Sequence, residues 1–216
     1  MDISREVFQG IDEIRCGILV SLVTITDESM NDLLSKDEII VAFKLLGQHA
    51  AREGMTVELF VVGGVAIIFG HPMAEEMRGG LTHDVDVVFV QPQDARLSKL
   101  RGIIGVIGTE LKLPAGWLND SAAKFVTRRS DGPLIFEAQG IIVRRATDLQ
   151  LFGMKLGLRR RKTDVDDQKV LFEALYADLQ PDSVDLLWSW IEKYVPKERL
   201  GAARKSLDDW WSKKDD

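Results

Sequence analysis

The sequence is poor in cysteine and contains no long apolar run. Cys16 is the only cysteine among 216 residues, which excludes a disulfide framework within the chain and a cysteine-rich zinc site. A single thiol is typical of proteins from a reducing compartment. The longest apolar stretch, from Cys16 to Ile25, is interrupted by Ser21 and Thr24, and it is shorter than the roughly 20 residues of a membrane-spanning helix. The first residues also lack the basic segment of a signal peptide. We therefore expect a cytoplasmic protein without a membrane span.

Basic residues are also fewer than acidic residues. The chain has 28 Lys and Arg against 34 Asp and Glu, a net charge of -6, which argues against attraction of nucleic acid to the whole surface. A local basic cleft is still compatible with this charge, because net charge does not say where the charges lie. Hydrophobic residues make up 45% and charged residues 29%, as in ordinary globular proteins.

The chain divides into three zones of different residue pattern. Residues 1–56 read as helical, with a capping box at Ser35 and Glu38 and a stop at Gly54. Residues 57–146 contain short β-branched runs at Leu59–Val62 and Val85–Val90, a helical stretch from Asp94 to Val106, and an apparent hairpin that joins Leu134–Phe136 to Ile141–Val143. Residues 147–216 read as helices again.

Polar residues mark where the helices of the last zone begin. We expect N-caps at Thr147 or Asp148, at Asp164, and at Asp182 or Ser183, and a further helix after Pro196. Four tryptophans cluster in this zone: Trp188, Trp190, Trp210 and Trp211. We expect them to pack the tail onto the rest of the protein, with a partner-binding surface as the alternative.

The first chemical signal is the pair Gly63-Gly64, which follows a predicted buried strand and opens a predicted helix. Glycines let the backbone approach a ligand closely. A helix N-terminus offers free N–H groups and a positive dipole end, which favour phosphate.

The second signal is Asp84 and Asp86, which alternate with Val85 and Val87 at the start of an apolar run. Strand alternation places both carboxylates on one face, about 7 Å apart. Such a pair suits Mg²⁺, which prefers a few carboxylates together with substrate phosphates. Asp-x-Asp alone arises often by chance, but acids seldom open a buried strand without a partner or a metal.

Gly-Gly, a helix and then Thr82-x-Asp84-x-Asp86 resembles the polymerase-beta-type nucleotidyltransferase superfamily. More closely, the chain resembles the AbiEii-type abortive-infection toxins and related uncharacterised proteins. Three further stretches match: Leu113-Pro-Ala-Gly-Trp-Leu-Asn-Asp, Leu151-Phe-Gly-Met-Lys155-Leu and Arg161-Lys-Thr-Asp164-Val-Asp-Asp167. The resemblance covers about residues 57–178 and implies an α+β fold, a mixed sheet flanked by helices with a helical C-terminal region.

The resemblance also implies roles for single residues. Gly63 and Gly64 would bind the triphosphate of an NTP, and Asp84 and Asp86 would hold one or two Mg²⁺ ions. Lys155 would contact the triphosphate, and Asp164 would complete the acidic site.

Further candidates come from the residues themselves. Lys155, Arg159 and Lys162 fall at i, i+4 and i+7 of one predicted helix, where they share a basic face that could reach polyphosphate or RNA. A solvated helix end is the alternative for Arg159 and Lys162. The Thr82 hydroxyl could touch metal or phosphate.

The third acid is open between Asp164, Asp167 and Glu137; the first two could instead serve as capping residues, and Glu137 could lie beside the Asp84 strand. Trp117 and Asn119 are candidates for a base or acceptor pocket. His71 and His83 are more typical of packing or surface positions.

One departure concerns spacing, because 19 residues separate Gly64 from Asp84, more than in the family. We expect the extra stretch, Pro72 to Gly80, to be a mobile loop over the cleft. It could gate the substrate or accompany a degenerate site.

The expected function is Mg²⁺-dependent transfer of NMP from an NTP to a hydroxyl. The resemblance implies a toxin of a toxin–antitoxin or abortive-infection system, with the tRNA 3′ end or a protein as acceptor and a cognate antitoxin as partner. The alternatives are an antibiotic adenylyltransferase and a non-catalytic antitoxin or scaffold that keeps the fold.

Overall fold

Among the described residues, helices and strands are interspersed up to Arg145, and helices alone follow from Asp148 to Trp211. The computed structural model describes residues 33–77, 79–129, 131–158 and 162–214; Cys16, the Cys16–Ile25 run, Arg78 and Arg159 lie outside them. The strands are β1 (Leu34–Ser35), β2 (Val57–Val61), β3 (Leu81–Thr82), β4 (Val85–Gln91), β5 (Leu118–Asn119), β6 (Leu134–Ala138) and β7 (Ile141–Arg145). The α-helices are α1 (Lys36–Arg52), α2 (Gly63–Gly70), α3 (Pro72–Met77), α4 (Arg96–Glu110), α5 (Asp148–Lys155), α6 (Lys162–Leu179), α7 (Val184–Ile191) and α8 (Leu200–Trp211). Short 3₁₀ turns span Ala123–Phe125, Glu192–Tyr194 and Lys197–Arg199.

A mixed five-stranded sheet has the order β5-β4-β2-β7-β6. β2 pairs antiparallel with β4 and parallel with β7, β4 pairs parallel with β5, and β6 and β7 form an antiparallel pair. The predicted β2, β4 and hairpin strands are confirmed, with ends that differ by one or two residues. β1 and β3 form a separate two-stranded sheet. Together with the helices, these sheets make the described part of the chain an α+β structure, as predicted.

The helix α1 begins as the sequence predicts. The Ser35 side chain accepts a hydrogen bond from the Glu38 N–H, and the Glu38 carboxylate accepts from the Ser35 N–H, which completes the capping box. The helix ends at Arg52, and Gly54 follows with a φ of +65°. Its buried residues Phe43 and Leu46 join the core, where the valines of β2 and β4 are also buried. α1 therefore covers the sheet on which the candidate site is built.

Three predictions about local structure are wrong. A single helix does not run from Lys155 to Lys162: α5 ends at Lys155, and Gly157 has a φ of +78°. Asp164 is not an N-cap, because α6 begins two residues earlier at Lys162. The Pro72–Gly80 stretch is not simply a loop, because residues 72–77 form α3 and the Gly80 N–H donates to the Glu75 carbonyl. The helix predicted at Asp94–Val106 does form, although it runs from Arg96 to Glu110.

The C-terminal helices pack onto the domain through a buried glutamine on α6. Gln168 donates to the carbonyls of Leu158 (2.6 Å) and Asp164 (3.1 Å). Its side-chain oxygen accepts from the Ser206 hydroxyl (3.2 Å) and the Trp210 indole N–H (3.3 Å) on α8. All four tail tryptophans are partly buried against the core, which agrees with the packing role expected for them.

Two further helix starts follow the predicted capping. The Thr147 side chain accepts from the Gln150 N–H, and the Ser183 side chain accepts from the Leu186 N–H. No helix among the described residues combines the length and apolar character that crossing a bilayer requires.

Candidate active site

Gly63 opens α2 directly beside Asp86. The Val62 N–H donates to the Asp86 carbonyl at 2.9 Å, which fixes the end of β2 against the start of β4. Gly63 has a φ of +68°, and a Cβ there would lie 2.8 Å from Asp86 Oδ2. Glycine is therefore required twice over, by the backbone conformation and by the nearby carboxylate.

Asp84 and Asp86 face a common cavity, as strand alternation predicts. Asp84 lies just before β4 and Asp86 is its second residue, while Val85 and Val87 are buried in the core. The cavity has a volume of about 510 Å³, and it is called the polar cavity below. Seven of the nine site residues predicted from the sequence line it: Gly64, Thr82, Asp84, Asp86, Lys155, Lys162 and Asp164.

Two neutral side chains from the β5 edge orient the acid pair. β5 pairs in parallel with the start of β4, which places Asn119 opposite Asp86. Asn119 Nδ2 donates to Asp84 Oδ2 at 2.9 Å, and Ser121 Oγ donates to Asp86 Oδ1 at 3.4 Å. Asn119 Oδ1 in turn accepts from the Ser121 N–H at 2.9 Å. The sequence suggested a base or acceptor pocket for Asn119 and gave no signal for Ser121, because its partner lies on a strand far away in the chain.

The electrostatic environment of Asp86 disfavours its charge. Burial raises its pKa most, and the neighbouring Asp84 carboxylate raises it further. The Ser121 hydrogen bond and the charge of Lys155 act in the opposite direction, and the net result is a pKa of about 6. A cation placed between the two carboxylates would favour the ionised form of both.

Lys155 lies across the cavity from this pair and binds two other acids. Its Nζ is 3.3 Å from Asp164 Oδ1 and 2.6 Å from Asp167 Oδ2. The Asp167 side chain is only 1% exposed and that of Lys155 14%. Lys155 was expected in mid-helix, but it is the last residue of α5, so its charge also suits the negative end of that helix.

Thr82 and Lys162 reach the cavity from other elements than expected. Thr82 lies on β3 and not on the Asp84 strand, and its hydroxyl donates to the Asp84 carbonyl at 3.2 Å. Lys162 begins α6, so it shares no helix with Lys155. The predicted basic face of one helix is therefore absent among the described residues, although both lysines line the same cavity.

Two other sequence candidates lie elsewhere. Glu137 is on β6, and β7 and β2 separate this edge strand from β4, so the expected place beside the Asp84 strand is wrong. Trp117 is a core residue, 2% exposed, whose indole N–H donates to the Ile104 carbonyl at 3.1 Å.

The arrangement fits a hard cation that brings its own additional ligands. Among the described residues there is no group of three or more His, Cys, Asp or Glu arranged to hold a metal ion. Asp84 and Asp86 supply two carboxylates, and Asp164 is engaged by Lys155. Mg²⁺ is bound in proteins by one or two carboxylates plus substrate phosphates and water, so this donor set suits Mg²⁺ together with a phosphate-bearing substrate.

Comparisons with protein-family models, with curated proteins and with solved structures returned no match to this chain.

Proposed function

We propose that this protein is a Mg²⁺-dependent nucleotidyltransferase with a polymerase-beta-like fold, which transfers NMP from an NTP to a hydroxyl acceptor. The observation that carries the proposal is the meeting of Asp84 and Asp86 with the Gly63-Gly64 start of α2 and with Lys155 at one cavity. The single cysteine, together with the use of NTP and Mg²⁺, favours the cytoplasm as the place of reaction.

The chain's own groups divide the work of binding a triphosphate. The free N–H groups at the start of α2 suit phosphate oxygens, and glycine at 63 and 64 lets them approach closely. Lys155 and Lys162 add positive charge on the α5–α6 side of the polar cavity. Asp164 and Asp167 keep Lys155 Nζ in place, so we assign them to positioning this lysine.

Asp84 and Asp86 would hold Mg²⁺, with Asn119 and Ser121 orienting the two carboxylates. When bound, Mg²⁺ neutralises phosphate charge and favours ionisation of the attacking hydroxyl. In the transfer, the acceptor oxygen bonds to the α-phosphorus, the bond from that phosphorus to the bridging oxygen breaks, pyrophosphate leaves, and the hydroxyl proton passes to water. Lys155 stabilises negative charge that develops on the phosphoryl oxygens.

The resemblance to AbiEii-type toxins points to the tRNA 3′ end as acceptor and to a toxin with a cognate antitoxin. The alternatives are a protein hydroxyl, a small-molecule antibiotic, and a non-catalytic antitoxin or scaffold. Each acceptor would carry the transferred label in a different molecule, and a non-catalytic protein would transfer no label.

The test is label transfer from each of the four α-labelled NTPs with Mg²⁺, in the presence and absence of total RNA. We expect label on RNA from the wild type and a loss of about 100-fold or more in the double variant Asp84→Asn, Asp86→Asn. Asp94→Asn, at an exposed aspartate bonded to Arg96, is the matched control and should keep full activity.

Label on protein alone would move the acceptor to a protein. NTP binding without any labelled product would point to a small-molecule acceptor. Neither label nor NTP binding would overturn the proposal in favour of the non-catalytic alternative.

A further inference from the structure

A second cavity adjoins the polar cavity. It has a volume of about 420 Å³ and is called the apolar cavity here. The two cavities share Asp86, Lys155 and Leu158, so they lie side by side. The volume lies in the range of small-molecule sites.

The walls of this second cavity are different in chemistry. Half of the lining residues have apolar side chains: Ala122, Phe125, Leu151, Met154 and Leu158. Phe125 lies in the Ala123–Phe125 turn, which follows directly on the Asn119 and Ser121 segment. Its side chain is among the exposed large hydrophobics, at 37%, and Lys124 Nζ lies 5.0 Å from its ring centroid. An aromatic ring left half exposed at a cavity beside charged groups is well suited to stack on a flat ligand.

The remaining wall comes from the C-terminal tail. Glu198 and Arg199, in the turn Lys197–Arg199, line the apolar cavity. This turn lies beyond the stretch of about residues 57–178 that carries the family resemblance, so this one wall of the cavity comes from outside that stretch. A carboxylate and a guanidinium can accept from and donate to the polar edge of a heterocycle.

The two cavities together match the two halves of a nucleotide. The polar cavity, with its acids and lysines, suits a magnesium-bound polyphosphate, and the apolar cavity, with Phe125, suits a planar base. We infer that the apolar cavity binds a nucleobase and that Phe125 is its stacking residue. The inference rests on the proposed function. The base belongs to the NTP donor or to the terminal nucleotide of an RNA acceptor.

The experiment is calorimetric titration of the whole protein with each NTP and, separately, with inorganic tripolyphosphate, all with Mg²⁺. Because a stacked base contributes strongly to affinity, Phe125→Ala should weaken NTP binding about 5- to 150-fold. Tripolyphosphate has no base, so its affinity should stay unchanged. Phe125→Trp should restore NTP binding, since it restores the stacking surface. Leu134→Ala, at another exposed hydrophobic on the distant β6 edge, is the matched control and should change neither affinity.

Measuring the KM for RNA in the label-transfer reaction distinguishes a base of the NTP donor from a base of the RNA acceptor. Unchanged NTP affinity in Phe125→Ala, together with a KM for RNA raised at least 5-fold, would support the cavity as the site of the acceptor base. If Phe125→Ala changes neither NTP affinity nor the KM for RNA, the inference is overturned while the proposed function stands. If the wild type binds neither tripolyphosphate nor any NTP, the proposed function itself is overturned.

Discussion

Two pairs of aspartates lie at the polar cavity or next to it, and they have different partners: Asp84, Asp86 and Asp164 line the cavity, and Asp167 is buried against Lys155, which also lines it. Asp164 and Asp167 share the ammonium group of Lys155, at 3.3 and 2.6 Å. Asp84 and Asp86 receive hydrogen bonds from the neutral Asn119 and Ser121 instead. Among the described residues, no lysine or arginine nitrogen lies within 4.0 Å of either carboxylate of this second pair.

Asp164 and Asp167 are therefore ion-paired within the fold, whereas Asp84 and Asp86 are available to a ligand. A neighbouring cation stabilises a buried carboxylate, whereas two neighbouring carboxylates repel each other. The pKa of Asp86 is raised by its burial and, after that, by this repulsion. A divalent cation bound by Asp84 and Asp86 would relieve the repulsion between them. Both pairs consist of two acids, so composition alone does not identify the metal site.

The largest effect on stability is expected for Asp164 and Asp167, the pair bound to Lys155. Lys155→Met removes the positive charge beside the buried Asp167, and we expect the free energy of unfolding to fall by about 3 kcal/mol. Urea unfolding at pH 7 measures this. Lys99→Met is the matched control, because its ion pair with Glu53 is on the surface and should contribute less than about 1 kcal/mol. Equal losses in the two variants would remove the distinction between the acid pairs.

A smaller effect, on Mg²⁺ affinity, is expected for Asp84 and Asp86, which accept hydrogen bonds from neutral side chains. Asn119→Ala removes the hydrogen bond to Asp84, and loss of such an outer partner typically weakens metal affinity about 10- to 100-fold. Titration with Mg²⁺ in the presence of NTP measures the change. Gln93→Ala, at an exposed amide that bonds only the Phe89 carbonyl in the described structure, is the control. Unchanged Mg²⁺ affinity would show that Asn119 does not support a metal ligand.

The smallest effect concerns stability and pH in the metal-free protein. Well below pH 3.8, the ordinary pKa of an aspartate, the Asp86 carboxyl is protonated in both folded and unfolded chains, so its raised pKa has no effect. As the pH rises towards 6, the unfolded chain loses this proton first, and folding becomes less favourable. Asp86→Asn should therefore stabilise the protein above pH 6, by about 1 kcal/mol once solvent screening is allowed for, and should have a much smaller effect at pH 4.

Thermal unfolding in EDTA at pH 4 and pH 8 measures the difference between Asp86→Asn and the wild type. Asp94→Asn should show no such gain, because hydrogen bonds from Arg96 lower the pKa of Asp94. A Tm at pH 8 that is lower in Asp86→Asn than in the wild type would contradict the assignment of Asp86 as a carboxylate kept at a cost to the fold.

Features set by a few neighbouring residues could be predicted from the sequence. The capping box at Ser35 and Glu38, the caps at Thr147 and Ser183, and the β6–β7 hairpin all depend on contacts within about four residues. The alternation of Asp84 and Asp86 with buried valines is local in the same sense.

Features set by distant partners could not be predicted. Apolar and basic residues continue in helical spacing past Lys155, yet the chain turns at Gly157, where a Cβ would lie 3.1 Å from the Ala203 nitrogen of α8. Asn119 reaches Asp84 only because β5 pairs with β4, and Glu137 is remote only because two strands intervene. Strand order and the position of the tail are not encoded in a short window of sequence.

The bonds of Gln168 bear on when the protein can become functional during its synthesis. Its side-chain oxygen accepts from Ser206 and Trp210, and Glu198 and Arg199 of the same tail line the apolar cavity. A nascent chain on the ribosome lacks these groups until α8 has left the exit tunnel, although the sheet has emerged before. The site is therefore completed only when α8 can pack, and a chain whose synthesis stops before α8 has the acid pairs without the finished site.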